Sequence, residues 1–99
     1  PPYYRLIILV LRSKNPTVLD ELSRQYAERL RRRLGDRVLG PVTPPVSYIQ
    51  LLHIRKVVMK IEIAASIPQV REILESVQQE MRQSTEFRQL LVHYDVDPL

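Results

Sequence analysis

The stretch VLGPVTPPVSYIQLLHIRKVVMKIEI, residues 38–63, decides how this chain folds. It begins as an apolar strand, breaks at Gly40-Pro41, and carries two more prolines before a second, longer strand begins. Proline has no N–H to donate to a sheet ladder, so we expect the first of these strands to lie at a sheet edge or to bulge away from it. The stretch therefore predicts a hairpin that the prolines push out of the sheet.

The alternation of apolar residues within this stretch locates its turn only approximately. The apolar positions change parity between Ile54 and Val57. A slip of one residue would move every side chain to the other face of the sheet, so a turn or bulge must absorb the change. We expect the turn near residues 52–55, and no Asn-Gly or similar pair marks it.

The residues before the hairpin predict a strand and a helix. Tyr4–Leu11 is a continuous apolar run of the length and composition of a central strand. Asn15-Pro16 is typical of a helix start, and Gly35 of a helix stop. The apolar residues between them recur at helical spacing and form one stripe: Val18, Leu19, Leu22, Tyr26, Leu30 and Leu34.

The residues after the hairpin predict a second helix and a last strand. Ser66 and Pro68 are suited to a helix N-terminus, and residues 90–96 (LLVHYDV) form the strand. The order is therefore β-α-β-β-α-β, the α+β, ferredoxin-like split arrangement with two helices on one face of a four-stranded antiparallel sheet. Right-handed crossovers place the first and third strands in its centre.

Composition limits the classes of function. The 99 residues predict a single domain with its own core, and the start at Pro1 suggests a fragment of a longer protein. Without cysteine there is neither a disulfide nor a thiolate metal site. The sequence contains no apolar run of ~18 residues, the length that a membrane-spanning helix needs, so no membrane span is predicted.

Charge is distributed unevenly along the chain. Residues 1–60 contain 12 Lys and Arg and 4 Asp and Glu, a balance of +8, whereas residues 61–99 contain 3 and 7, a balance of −4. Such an asymmetry favours an anionic partner for the first half, and a phosphate backbone is the commonest one.

Catalysis has little support in the sequence. His53 and His93 have no nucleophile or carboxylate motif beside them, and two glycines cannot build a phosphate loop. Asp95 and Asp97 alternate on the last strand, but two carboxylates alone are weak evidence of a cation site. The predicted third strand lacks the aromatics on which RNA-recognition domains stack bases. We expect no catalytic residue and no metal.

Three groups of residues could bind a partner. Arg55, Lys56 and Lys60 on the hairpin could contact phosphates, or protect a sheet edge, and these two interpretations are equally favoured. The arginines within residues 29–33 are better explained by the negative end of the helix dipole. Residues 66–71, at the start of the second helix, could receive a carboxylate, although capping by Ser66 is the simpler explanation.

Three motifs in order also suggest a family. PPYYRL at residues 1–6, VLGPVTPPVS at residues 38–47 and YDVDPL at residues 94–99 resemble the C-terminal domain of the bacterial replication-restart helicase called primosomal protein N′ (PriA). The resemblance covers the whole chain. The Gly-Pro step after Val-Leu and the terminal Asp-Val-Asp-Pro are features of that family.

The resemblance implies a non-catalytic domain, similar in fold to ribosomal protein S10 with its long hairpin between the second and third strands. The parent would be an ATP-dependent 3′→5′ DNA helicase of the bacterial cytoplasm, acting in replication restart and primosome assembly. ATP, magnesium and zinc would bind to its other domains, and this chain would hold no cofactor. Its partners would be forked or single-stranded DNA, the helicase core, single-stranded-DNA-binding protein and other primosome proteins.

This hypothesis assigns two roles, DNA contact and protein docking, to particular residues of the chain. Sequence-independent DNA contact is assigned to Arg37, Arg55, Lys56 and Lys60. Protein docking is assigned to Gln69 and Arg71 on the second helix and to Leu52 and Ile54 at an apolar hairpin tip. The alternative is a pure docking module for the helicase core or for the tail of single-stranded-DNA-binding protein, with no DNA contact.

Overall fold

The computed structural model of the protein describes residues 3–96. Within that range it has five strands and two α-helices. In chain order they are β1 Tyr4–Ser13, α1 Pro16–Leu34, β2 Val38–Val42, β3 Tyr48–Ile49, β4 Leu52–Glu62, α2 Ile67–Met81 and β5 Leu91–Val96. The α+β, split ferredoxin-like class is confirmed, with one extra short strand.

The helix ends lie where their capping residues predict them. The Asn15 side chain accepts hydrogen bonds from the Thr17 and Val18 N–H groups at 3.1 and 3.2 Å and so caps α1. Gly35 stops the helix with φ +66°, a conformation that costs glycine little. The Ser66 hydroxyl accepts from the Gln69 N–H at 3.3 Å and caps α2.

The sheet has the predicted order. The strands lie β2-β4-β1-β5, and all pairs described are antiparallel, so β1 and β4 occupy the centre. β1 pairs with β4 over its whole length, from Tyr4 opposite Glu62 to Ser13 opposite His53. β2 lies at the edge, and its register with β4 shifts between Leu39 and Val42, as the prolines predict.

The prediction of a projecting hairpin is wrong. The turn lies at Gln50 and Leu51, which both have positive φ (53° and 70°), and β4 begins immediately after it at Leu52. Consequently β4 stays in the sheet from its first residues, paired with β1 on one side and with β3 and then β2 on the other.

The two faces of the sheet are covered differently. Both helices pack on one face, where odd-numbered residues of β1 and β4 meet the α1 stripe and Val70, Val77 and Met81 of α2. Ser23 and Ala27 of α1 are also buried there. The opposite, open face carries no helix among the described residues. Residues 43–47, here called the proline segment, lie over one part of this open face. The rest of the open face stays uncovered by residues 3–96 and is a candidate surface for binding a partner.

Candidate docking and nucleic-acid surfaces

The open face of the sheet is mostly apolar. Side chains alternate along a strand, so even-numbered residues of β1 and β4 share this face, and β2 adds Leu39 opposite Val58. Leu6 is 36% exposed and Leu39 53% exposed. Ile8 and Val58, paired across the two central strands, are only partly buried. This is the kind of exposed apolar surface that proteins use to contact other proteins.

The proline segment covers one part of the open face. Pro44, Pro45 and Val46 line a cleft of about 470 Å³ together with Val10 and Ile54. Val10 is only 6% exposed and Ile54 only 7%, although neither belongs to the helix-side core. The prolines therefore bend the chain back onto the sheet and bury part of its open face, instead of pushing a hairpin outward.

Two of the predicted DNA-contacting residues, Lys56 and Lys60, lie on the open face. They are four residues apart on β4, a spacing of ~13 Å along a strand. Lys60 is exposed, and its Nζ lies 4.3 Å from the centre of the Tyr4 ring, a cation–π contact; among residues 3–96 it forms no ion pair. Lys56 is partly buried and lines the cleft beneath the proline segment with His93 and Asp95.

The other two predicted DNA-contacting residues lie elsewhere and form ion pairs. Arg55 faces the helix side, is 16% exposed, and its Nε donates to Asp20 Oδ1 of α1 at 2.7 Å. Arg37 Nε donates to Glu62 Oε1 at 2.7 Å, and its Nη1 donates to the Leu34 carbonyl. The expectation that Arg55, Lys56 and Lys60 share one protruding surface is therefore wrong, because alternate residues of a strand point to opposite faces.

The Arg37–Glu62 ion pair also shifts the pKa of both side chains. The hydrogen bond from Arg37 holds the pKa of the Glu62 carboxyl below its usual range, and Glu62 raises the pKa of Arg37. Each partner thus stabilises the charged form of the other. The paired Arg37 has less charge to offer a phosphate than Lys60 has.

The four predicted docking residues fall into two separate places. Leu52 is partly buried and Ile54 is buried, so the idea of an exposed apolar tip at these residues is wrong; the exposed aliphatic residues of the tip are Ile49 and Leu51. Gln69 and Arg71 are exposed on the first turns of α2.

Arg71 lines a second cleft; the sequence indicated its α2 side, at residues 66–71, but not the part that the sheet supplies. Its volume is about 450 Å³ and it lies between α2 and the β1–β5 side of the sheet. Arg5 stands in its wall with Arg71, and Ile67, Leu74 and Val96 supply apolar surface. Arg5 lies on β1 at the same parity as buried Ile7, and this was the one available sign that it faces the helices.

A hydrogen bond between two tyrosines fixes the inner end of this cleft. The hydroxyls of Tyr26 on α1 and Tyr94 on β5 lie 2.8 Å apart. Burial raises the pKa of both, so both remain protonated over the physiological range. The pair satisfies two hydroxyls in the core and gives no sign of catalysis.

Residues 3–96 show no arrangement for metal binding. They contain no group of three or more His, Asp or Glu side chains able to hold a metal ion. His93 Nε2 lies 3.7 Å from Asp95 Oδ1, an exposed pair, and Asp97 lies outside the described residues. None of the helices in this range is long and apolar enough to cross a membrane.

Comparison with known proteins identifies a family by sequence and a fold by structure. The family model described as primosomal protein N C-terminal domain matches residues 1–99. No curated protein sequence matches the chain. Among solved structures, the de novo designed protein Foldit4 is similar with a TM-score of 0.67 and 10% identity, over 97% of this chain and 98% of that one. At this identity the likeness concerns the fold alone.

Proposed function

This chain belongs to the primosomal protein N C-terminal domain family, and we propose that it serves its parent as an accessory domain that contacts DNA without sequence preference. The family places it in primosomal replication restart, as a non-catalytic domain. The parent in this proposal is a cytoplasmic, ATP-dependent 3′→5′ DNA helicase whose other domains bind ATP, magnesium and zinc. Primosome proteins and forked or single-stranded DNA are its partners.

The exposed Lys60, which forms no ion pair within residues 3–96, is the observation that carries the proposal of DNA contact. Arg37 and Arg55 are each held by a carboxylate at 2.7 Å, whereas Lys60 is exposed and lies over an aromatic ring. A phosphate can replace water around such an ammonium group without breaking an ion pair of the protein. Lys56, on the same face, supplies a second cation, and contacts of this kind read no bases.

Paired variants test this assignment. Lys56→Ala/Lys60→Ala should lower the affinity for a fluorescein-labelled forked DNA, and its salt slope should fall by about one for each phosphate that no longer meets a lysine. The matched control is Arg37→Ala/Arg55→Ala, which also removes two positive charges but takes them from ion pairs. Fluorescence anisotropy from about 50 to 300 mM salt measures both. Equal effects of the two variants would show that net charge alone governs binding and would refute the assignment.

The apolar part of the open face supports docking onto the helicase core of the same protein. Leu6, Ile8, Leu39 and Val58 form a continuous surface beside Lys60 that no described residue covers. Burying it would contribute ~25 cal/mol for each Å² removed from water. A titration of the labelled chain with the separate helicase core should shift the methyl resonances of these residues. Unchanged methyl resonances at saturating core would refute this docking face.

The cleft between α2 and the sheet supports a second candidate, capture of the acidic tail of single-stranded-DNA-binding protein. Arg5 and Arg71 can bind carboxylates while the apolar wall receives a hydrophobic side chain, although Glu75 also lines the cleft. Arg71→Ala should weaken binding of a labelled tail peptide and leave DNA affinity unchanged. Loss of DNA affinity together with unchanged peptide binding would assign Arg71 to DNA instead.

A further inference from the structure

The arginine-rich end of α1 is a charged surface that the proposed function leaves unused. Four of the five residues from 29 to 33 are arginine. The C-terminal end of a helix carries roughly half a negative charge. Two carboxylates, Glu28 and Glu80, also pair with members of the cluster, so two positive charges remain that neither the pairs nor the dipole compensate fully. The helix dipole therefore explains only part of the cluster.

The individual contacts identify which arginines keep their charge. Arg29 Nη1 lies 2.6 Å from Glu80 Oε1, and Arg32 Nη2 lies 3.7 Å from Glu28 Oε1. Arg31 Nη2 instead donates to the Gly40 carbonyl at 2.8 Å, and Arg33 Nη1 donates to Ser76 Oγ at 3.4 Å. Within residues 3–96 neither Arg31 nor Arg33 forms an ion pair. Their partners are neutral acceptors, which hold the side chain in place and leave the positive charge intact.

These contacts spread the guanidinium groups across the helix surface. Arg31 reaches over the β2 edge, while Arg33 reaches to α2 on the other side, with Arg32 between them 66% exposed. Because the two outer groups are already held by neutral acceptors, binding an anion would cost less side-chain entropy than ordering free arginines.

We propose that Arg31, Arg32 and Arg33 form a second phosphate-binding surface, which contacts the backbone of a nucleic-acid strand on the helix side of the sheet. Guanidinium groups bind phosphate oxygens in a bidentate way, and such backbone contacts carry no sequence information. The exposed Glu72 and Glu75 of α2 repel phosphate, whereas Glu80 is held by Arg29, so the strand should run across the end of α1 from Arg33 to Arg31 and not onto α2. The proposal rests on the DNA contact proposed above and extends it to a surface on the other side of the sheet from Lys60.

A charge-matched pair of double variants on the same helix tests this surface. Arg31→Gln/Arg33→Gln removes two uncompensated cations, and Arg24→Gln/Arg29→Gln removes two cations that carboxylates already hold. The first should weaken binding of labelled duplex and single-stranded DNA roughly tenfold at about 50 mM salt and lower the salt slope by about two. The second should change affinity less than twofold. Equal losses in the two variants would overturn the proposal.

Two further measurements keep the test independent of folding and of net charge. Arg31→Lys/Arg33→Lys keeps the charges and should retain the wild-type salt slope. In the wild-type chain, bound DNA should protect Arg31 and Arg33 from modification by phenylglyoxal more than it protects Arg24, as measured by mass spectrometry. Protection of these arginines by polyglutamate but not by DNA would assign the surface to an acidic protein and overturn the proposal.

Comparison with the lysine variant separates this inference from the function proposed above. Loss of affinity in Lys56→Ala/Lys60→Ala alone would leave the open-face assignment standing and reject the arginine surface. Loss of affinity in Arg31→Gln/Arg33→Gln alone would support the arginine surface and reject DNA contact by the lysines of the open face. Loss in both, with salt slopes that add, is the expected result, because the sheet separates the two surfaces and distant sites act independently.

Discussion

The two faces of β1 are equally apolar in sequence and differ in what covers them. Ile7, Leu9 and Leu11 point to the helices and are at most 5% exposed. Leu6 and Ile8 point the other way and remain partly open, whereas Val10 is buried beneath the proline segment. The difference shows that hydrophobicity alone does not distinguish a folding core from a binding surface. What decides is whether the chain itself supplies a cover.

The largest effect should come from removing the same side chain on the two faces. Leu9→Ala should lower the free energy of unfolding by ~2–5 kcal/mol, because it leaves a cavity in the helix-side core. Leu6→Ala, earlier on the same strand, should cost less than ~1 kcal/mol, since its side chain is already partly in water. Urea denaturation of both variants measures the contrast. Equal losses would mean that the open face contributes to the fold as much as the core does.

The next test concerns Gly40 in the edge strand β2, just before the proline segment, and measures the stability cost of adding a Cβ there. Gly40 has φ +114°, and a Cβ there would lie 3.0 Å from the Lys56 carbonyl oxygen. Gly40→Ala should therefore cost ~1–3 kcal/mol through backbone strain and a steric clash. Gly35 also has positive φ, but a Cβ there meets nothing within 4 Å. Gly35→Ala, with its strain alone, should cost less, and an equal cost would show that the close approach to Lys56 is unimportant.

Three of the helix ends could be predicted from single residues in the sequence. Asn15, Gly35 and Ser66 mark helix ends because their own side chains or backbone freedom satisfy the terminal groups. The turn at Gln50–Leu51 could not be predicted, since neither residue is one that normally adopts positive φ. The Arg55–Asp20 pair joins residues 35 positions apart, so only the folded chain reveals that a carboxylate holds the Arg55 charge.

The candidate surfaces were less predictable than the fold for the same reason. A sequence shows which residues are cationic, but the available charge depends on which carboxylates the fold brings close. Arg37 and Lys60 look alike in sequence and differ in the structure, where one is paired with Glu62 and the other lies over Tyr4. The position of the proline segment was equally hard to predict. Prolines indicate that the chain leaves the sheet ladder, but they do not indicate whether it projects outward or folds back over the sheet.

The cover over Val10 gives a smaller, intermediate effect. Val10→Ala removes two methyl groups from beneath the proline segment and should cost about 1–2 kcal/mol. That value lies between those of Leu6 and Leu9 because the cleft leaves the site less tightly packed than the core. Urea denaturation measures it, with Val58→Ala as a partly exposed control on the same face. A cost below that of Val58→Ala would mean that the proline segment does not rest on Val10.

The smallest effect concerns the Arg37–Glu62 ion pair and depends on pH. Because Arg37 lowers the pKa of folded Glu62 below its ordinary 4.5, the pair contributes stability above the unfolded pKa, and this contribution disappears as pH falls through the folded value. Wild-type protein should therefore exceed Glu62→Gln in stability at about pH 7, and this advantage should be lost as pH falls below 4.5 and through the lowered pKa of folded Glu62. An NMR titration of the Glu62 carboxyl should show its pKa rising toward the ordinary value in Arg37→Gln. A carboxyl that titrates identically in both proteins would mean that solvent screens the pair, and Arg37 would then be as free as Lys60 to meet a phosphate.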